Sequence, residues 1–487
     1  MTGSLMRPVR HCVRLTLEAL TPLSIASGEV DGDLDTLLFR DWNGLPCLAG
    51  AGLAGVLRSL SVDQLDPKET EELWGRTGAG PGDGRPSRIS VSFGLAHDAN
   101  DRPVDGDQPP VMDSVLKLLA KPAPVLRDHV RINADRGAAE DTGKFDRAAC
   151  PRGTRFSLEL TLDGESPDDG GQLLRVATLF SSPHARLGGA TRRGYGKVRV
   201  VRGHYAAIDR FGPDGRRRWI AYRAARIDET PSDGGLIWRE LDAVSEYLNA
   251  TTGRGAIVGT LALKPKGFWR VGQGDVARST GSKRPARMPL SEAVIVWEPI
   301  AEGVGEVARV DTTSFVPISG AGLKGVLAHR AEFHARRLMP DKPAEGRVTD
   351  VLFGQALDRE EGKAGHVLVD DIYVDMSLKD APVAARRTRN SIDRHTGGVR
   401  DGRLFTDEAL WRGPTWTATI TVLAGALATS PEFLQALDWA IEDLCQGRLA
   451  IGAGDGIGDG VFDESGSSID WSGRGSSLVQ AVAAVAP

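Results

Sequence analysis

The chain has 487 residues, 41% apolar and 26% charged, enough to bury the cores of two domains of about 200–250 residues each. A net charge of −5 excludes a protein that coats nucleic acid through a whole-surface positive field, so any anion site must be local. No stretch approaches the ~18 uncharged apolar residues of a membrane span, the N-terminal MTGSLMRPVRHCVRL lacks a signal core, and Cys12, Cys47, Cys150 and Cys445 suggest neither a zinc site nor a disulfide framework, so a cytoplasmic protein with no membrane partner is expected.

In chain order, residues 12–20 (CVRLTLEAL) alternate apolar and polar and predict a strand. In the acidic loop that follows, Asp31, Asp33 and Asp35 at alternate positions suit a hard divalent cation or place a carboxylate beside a scissile phosphate. The loop lacks the closing Glu of a calcium motif, and a plain exposed loop is the alternative. GAGLAGVL, from Gly50 to Leu57, lies between an extended segment and a helical pattern. Gly50 and Gly52 permit a tight turn, free helix-start N–H groups can meet an anion, and Arg58 stands nearby; a close-packed strand-to-helix turn explains the same residues. Arg127 to Arg152 is a polar excursion with Arg131 and Arg136, read as a functional loop or hairpin. A strand (155–162) and a helical stretch (171–180) follow. Pro183 to Gly203 then carries six basic residues, among them Arg192, Arg193 and Lys197, and no acid, with Tyr195 placed to stack on a base. A solvated face is the alternative there.

The glycines hide a repeat. GAGLAGVL recurs as GAGLKGVL at Gly320 to Leu327, with Lys324 as its cation, and three weaker echoes follow in the same order. LWG at Leu73 matches LFG at Leu352. RINADR at Arg131 matches RNSIDR, which holds Arg389 and Arg394, and LGGATRRGYGKV at Leu187 matches IGAGDGIGDGVF at Ile451. The offsets cluster at 270, 279, 258 and 264. Two domains, 1–203 and 256–487, are therefore expected, joined by a connector at 204–255 with a helical pattern at Leu236–Leu248. Strands alternating at period two, with two helices per repeat, predict an α+β fold of the ferredoxin-like type.

Together these segments resemble the RAMP superfamily, and specifically the backbone subunits of type III CRISPR RNA-guided effector complexes. The resemblance rests on LTPLSIASGEVD, DTLLFRDWNGLPCLAGAGLAGVLRSL and GGATRRGYGKV in repeat one, and on DTTSFVPISGAGLKGVL, RNSIDRHTGG and the last Gly-rich loop in repeat two. It implies two tandem ferredoxin-like (RRM-like) domains with thumb-like hairpins that grip a CRISPR guide RNA beside other subunits of the complex. Target choice would then belong to guide pairing with a complementary target RNA.

The resemblance also implies that Asp35 acts in metal-dependent cleavage of target RNA, with Mg2+ or another divalent cation held by Asp35 and Asp33. Asp311 is the second candidate. It aligns with Asp41 by its distance from the glycine turn, or with Asp35 if repeat two has lost about six residues. A non-catalytic RNA scaffold and a guide-processing endonuclease remain the alternatives.

Overall fold

The computed structural model describes residues 7–29, 34–78, 80, 83–105, 111–133, 139–227, 238–241, 255–281, 284–301, 305–339, 347–355, 362–427 and 429–483. Asp31, Asp33, Arg136 and most of the expected connector helix lie outside them. The chain divides into two units. One holds residues up to Thr191, Gly196–Gly255 and Ile295–Val310; the other holds Arg192–Tyr195, Ala256–Val294 and everything from Asp311 on.

In the first unit the alternating segment forms the central strand, Val9–Ala19, paired antiparallel with Arg155–Gly164 on one side and Val198–Asp209 on the other. Ile89–Val91 adds to the outer edge of Arg155–Gly164, and Arg239–Glu240 to the far edge of Val198–Asp209. The helix Gly50–Gln64 follows the first strand, and Gly170–Thr178 follows the third. The four main strands thus lie in the spatial order second, third, first, fourth, which is the ferredoxin-like arrangement expected.

Alternation gives this sheet two unlike faces. Val13, Leu15 and Leu17, opposite Leu160, Leu158 and Phe156, are buried, as are Leu173 and Val176 of the helix that packs on these strands. The other face is ionic and equally closed. Arg14 pairs with Glu159 at 2.9 Å and lies over the Trp238 ring at 4.6 Å. Arg155, 1% exposed, pairs with Glu18 (2.8 Å), Asp101 (2.9 Å) and Glu306 (2.7 Å) beneath Trp297. Between these pairs, Ser157, His97 and Asp101 have the hydrogen-bond order of a nucleophilic triad, both links 2.8 Å. Ser157 is buried and shares its hydroxyl with Thr16, so the set works as a polar strut.

The second unit repeats the plan. Val367–Val369, Trp416–Leu423, Ala256–Leu263 and Ser468–Asp470 form its sheet in the same second, third, first, fourth order. Its helices Gly320–Leu338 and Pro431–Cys445 pack on each other over a core that includes Leu323, Leu327, Leu437 and Ile441.

Between the second and third strands each unit sends out an antiparallel hairpin, Val125–Ile132 with Ala139–Ala149, and Val383–Ile392 with Val399–Trp411. These are the thumb-like excursions. Repeat two also carries an insertion instead of the expected deletion: seventeen residues separate Ser24 from Asp41, but forty-one separate Arg270 from Asp311. Most of the difference is the strand pair Val294–Pro299 and Glu306–Asp311, largely assigned to the first unit, where Trp297 Nε1 donates to Gly153 O at 2.7 Å.

Burial alone would raise the Asp101 pKa, but hydrogen bonds from His97 and Arg202 and the charge of Arg155 bring it down to about 2. A folded-state pKa below the unfolded value means that this carboxylate stabilises the fold above about pH 4, by roughly 2 kcal/mol, and that the contribution is lost as the pH falls towards 2. The urea midpoint of the wild type is expected to fall more steeply across that window than that of Asp101→Asn; parallel pH profiles would refute the assignment.

Candidate nucleic-acid interface

Beyond the end of the first strand, residues 20–25 run between two irregular pieces and bond to both. On one side Leu23 and the hairpin's last residue, Cys150, exchange N–H···O bonds of 3.0 and 2.9 Å. On the other, Gly189 N–H donates to Ser24 O at 2.7 Å, and Gly196 N–H to Pro22 O at 2.9 Å. The backbones come so close that a Cβ on Gly188, at φ +77°, would stand 2.3 Å from Ser24 O. Unit two repeats this bond for bond, with Ala453 donating to Arg270 O and Gly460 to Phe268 O, and with Gly452 at φ +92° in the tight place. The duplicated glycines are thus accounted for by backbone contact, whatever charges flank them.

Asp35 is exposed at the hairpin's root. Its backbone N–H donates to Asp146 Oδ1 at 3.0 Å, and its Oδ2 accepts the Asp146 N–H at 2.9 Å. This reciprocal pair ties each carboxylate to the other residue's backbone, with Arg147 next in the chain reaching Ser24 Oγ at 3.3 Å. The sequence reading missed Asp146; its only signal was an acid within an arginine-bearing excursion. Two hard carboxylate donors suit a Mg2+ ion that keeps most of its waters. No cluster of three possible ligands occurs among the described residues.

Asp311 is placed elsewhere. It is 6% exposed, with Oδ1 accepting the Thr313 and Ser314 N–H groups at 2.8 and 2.7 Å and Oδ2 accepting the Ser314 hydroxyl at 2.6 Å. Asp41 closes the corresponding turn of unit one through Asn43 and Leu45 N–H. Asp311 is therefore the counterpart of Asp41, a turn-closing acid with a carboxylate already engaged.

The expected RNA-contacting residues divide. A Cβ on Gly50 would lie 2.5 Å from Val91 O, and one on Gly320 2.3 Å from Val369 O, so the first glycine of each motif serves packing. A Cβ on Gly52, Gly55, Gly322 or Gly325 would meet no other part of the fold within 4 Å. Arg58 donates to Gly75 O at 3.3 Å and Lys324 to Phe353 O at 2.8 Å, so in each repeat a helix cation ties down the L-aromatic-G turn. Burial, with Arg193 and Arg192 nearby, lowers the Lys324 pKa to about 8. Tyr195 is fully buried, which corrects its expected role as a stacking platform. Arg192 is half-buried and donates to Gly365 O at 2.8 Å, whereas Arg193 is exposed and Lys197 partly so.

On the first hairpin, Arg131 is exposed 3.6 Å from Glu140, two residues beyond His129, whose ring stacks on that of Phe145 at 5.1 Å. On the second, Arg387 and Arg389 turn toward Asp459 of the Gly-rich loop, at 2.8 and 3.6 Å, while Arg394 stands exposed at the tip. Exposed apolar residues share these hairpins: Leu126, Val130 and Ile132 on one, Ile392, Val399 and Leu404 on the other.

The RAMP superfamily model matches residues 16–199 and 295–463. The chain belongs to the RAMP superfamily. Both matched stretches of this RAMP protein span a GAGL helix, a hairpin and most of a Gly-rich loop. None of the curated proteins compared with the chain is similar enough to count as a relative. Among the described residues no helix is long and apolar enough to cross a membrane.

Glycines that nothing crowds and glycines that a carbonyl crowds should respond oppositely to a methyl group. Gly52→Ala and Gly322→Ala are expected to stabilise the fold by up to about 1 kcal/mol through helix propensity. Gly50→Ala and Gly188→Ala should destabilise it by roughly 1–3 kcal/mol. Thermal unfolding of the four variants checks the signs.

Proposed function

We propose that this RAMP protein is a guide-RNA-binding backbone subunit of a type III CRISPR effector complex, with two such domains fused in one chain, and that Asp35 takes part in cutting the complementary target RNA. RAMP proteins bind RNA and work in multisubunit CRISPR complexes. The observation that carries the cleavage reading is the exposed Asp35 carboxylate, held on the hairpin root by Asp146.

Within each unit the loops offer what a backbone-gripping surface needs. Arg131 is exposed on the first unit's hairpin and Arg394 on the second's, and the open Gly52–Gly55 surface lets a sugar-phosphate chain come close to a helix. The exposed aliphatic residues of the hairpins suit wedging between bases.

In the proposed reaction a target 2′-hydroxyl oxygen attacks the adjacent phosphorus while the bond to the 5′ oxygen breaks. The products are a 2′,3′-cyclic phosphate and a 5′-hydroxyl. Asp35, whose Oδ2 is anchored on the Asp146 N–H, takes the 2′-hydroxyl proton, and water returns one to the leaving oxygen. A divalent cation shared by Asp35 and Asp146 would neutralise charge on the phosphate. Asp311, with both carboxylate oxygens engaged, gives no support for a second cut.

Replacing Asp35 with Asn should lower target cleavage about 100-fold or more while leaving guide binding intact. Chelator should have the same effect, and Asp311→Asn should change stability but not the product pattern. Undiminished cutting by Asp35→Asn, or no metal-dependent cutting by the wild type, would leave a non-catalytic RNA scaffold. Arg131→Gln and Arg394→Gln should each reduce the salt dependence of RNA binding by about 0.7 per lost phosphate contact; unchanged slopes would remove the hairpins from the groove.

A further inference from the structure

At the far end of the first unit's sheet, the ten-residue helix Gly215–Ala224 opens with Arg216, Arg217 and Arg218, and no acid stands in its first turn. The helix macrodipole disfavours cations there, and the N-cap acid Asp214, which makes no capping hydrogen bond, is one charge against three.

The inner side of the helix explains one of the three arginines. Gly215 and Tyr222 are buried and Arg218 is partly so. Tyr222 donates its hydroxyl to Glu159 at 2.5 Å, and Trp219 lies beneath Arg10 and Arg210. The outer side has no such account. At 100° per residue Arg223, Arg216, Ile220 and Arg217 share an arc of about 120°. All four are exposed, Ile220 at 57%. Arg216, Arg217 and Arg223 make no hydrogen bond or ion pair with any described residue, whereas Arg10, Arg14, Arg155, Arg202 and Arg210 are all paired.

The turn before the helix presents Phe211, 63% exposed, on a backbone held by Asp209, whose Oδ1 accepts the Phe211 and Gly212 N–H groups at 3.0 Å each. Residues of this turn, with Arg216, Arg217 and Ile220, line a groove of about 460 Å3 in which Asp214 is the single acid.

We infer that this arginine stripe with Phe211 is a second RNA-binding site, taking phosphates on Arg216, Arg217 and Arg223 and a base on the Phe211 ring. Unpaired cations select a polyanion, and an exposed aromatic ring in the preceding turn selects one that carries bases. The site is separate from the hairpin groove. Trp219 packs at the Val9 and Asp209 end of the sheet, the hairpin leaves near the Ala19 end, and eleven strand residues span about 34 Å between them. It would hold RNA running past the groove.

The inference rests on the RNA-binding reading above, and the experiment separates the two. The full chain carrying Arg216→Gln, Arg217→Gln and Arg223→Gln, and separately Phe211→Ala, is titrated with a short single-stranded RNA and with one several times longer. For the long RNA the triple variant should bind about tenfold or more weakly, with a salt slope lower by about two, at ~0.7 per lost contact. Phe211→Ala should weaken the same RNA about fivefold or more without changing the slope. The short RNA should bind all forms alike. Equal losses for both lengths, or for neither, overturn the second site while leaving the groove in place. A wild type that binds neither RNA overturns the groove itself.

Discussion

The first unit's hairpin and Gly-rich loop both hang on one extended stretch of backbone, residues 20–25, which is hydrogen-bonded along both edges. It holds the root of the hairpin through Cys150 and the Gly-rich loop through Gly189 and Gly196, so loop and hairpin have a common floor. The constraint is steric before it is chemical. Gly188 has Ser24 O where a side chain would begin, and the matching Gly452 has Arg270 O at 2.4 Å from its missing Cβ. That contact demands glycine at both sites and places no demand on the side chains elsewhere in the two loops.

That freedom is visible in the charges. In the collinear alignment Asp459 takes the place of Tyr195, and unit two uses it to bridge Arg387 and Arg389. Two hairpin arginines are thereby neutralised inside the protein. The cations left exposed in unit two, such as Arg394, lie farther out toward the hairpin tip. Asp459 is thus a strut under the hairpin.

How much was legible follows from which forces act locally. Period-two alternation is set by burial of one sheet face, so the strands at 12–20, 155–162 and 256–264 were readable, and the collinear glycine echoes gave the order of the elements. The 294–311 strand pair was not readable, because its partners, Gly153 and Arg155, lie more than a hundred residues away and its sequence has no turn motif matching repeat one. Asp311 and Asp41 look alike in spacing because they close the same turn. Asp35 has no such twin, so spacing alone could not choose between the two alignments. Tyr195 misled because an aromatic ring among arginines looks like a stacking platform, and only the packing of the folded chain shows that it is buried.

An RRM-like sheet often reads bases with aromatic residues on its open face, but in the first unit that face is closed. Arg14, Thr16, Glu18, Arg155 and Ser157 are all buried there, and the aromatic rings over it, Trp238 and Trp297, stack on the guanidinium groups of Arg14 and Arg155. Opening the face to admit bases would strand charges that are paired only in the closed state, at a cost of several kcal/mol for each broken buried pair. The ionic network therefore excludes RNA from the sheet. What remains for binding is the surface off the sheet, where exposed arginines, the open helix glycines and the Asp35 carboxylate are found. The same network makes those loops positionable, because the strands that carry them cannot shift without breaking it.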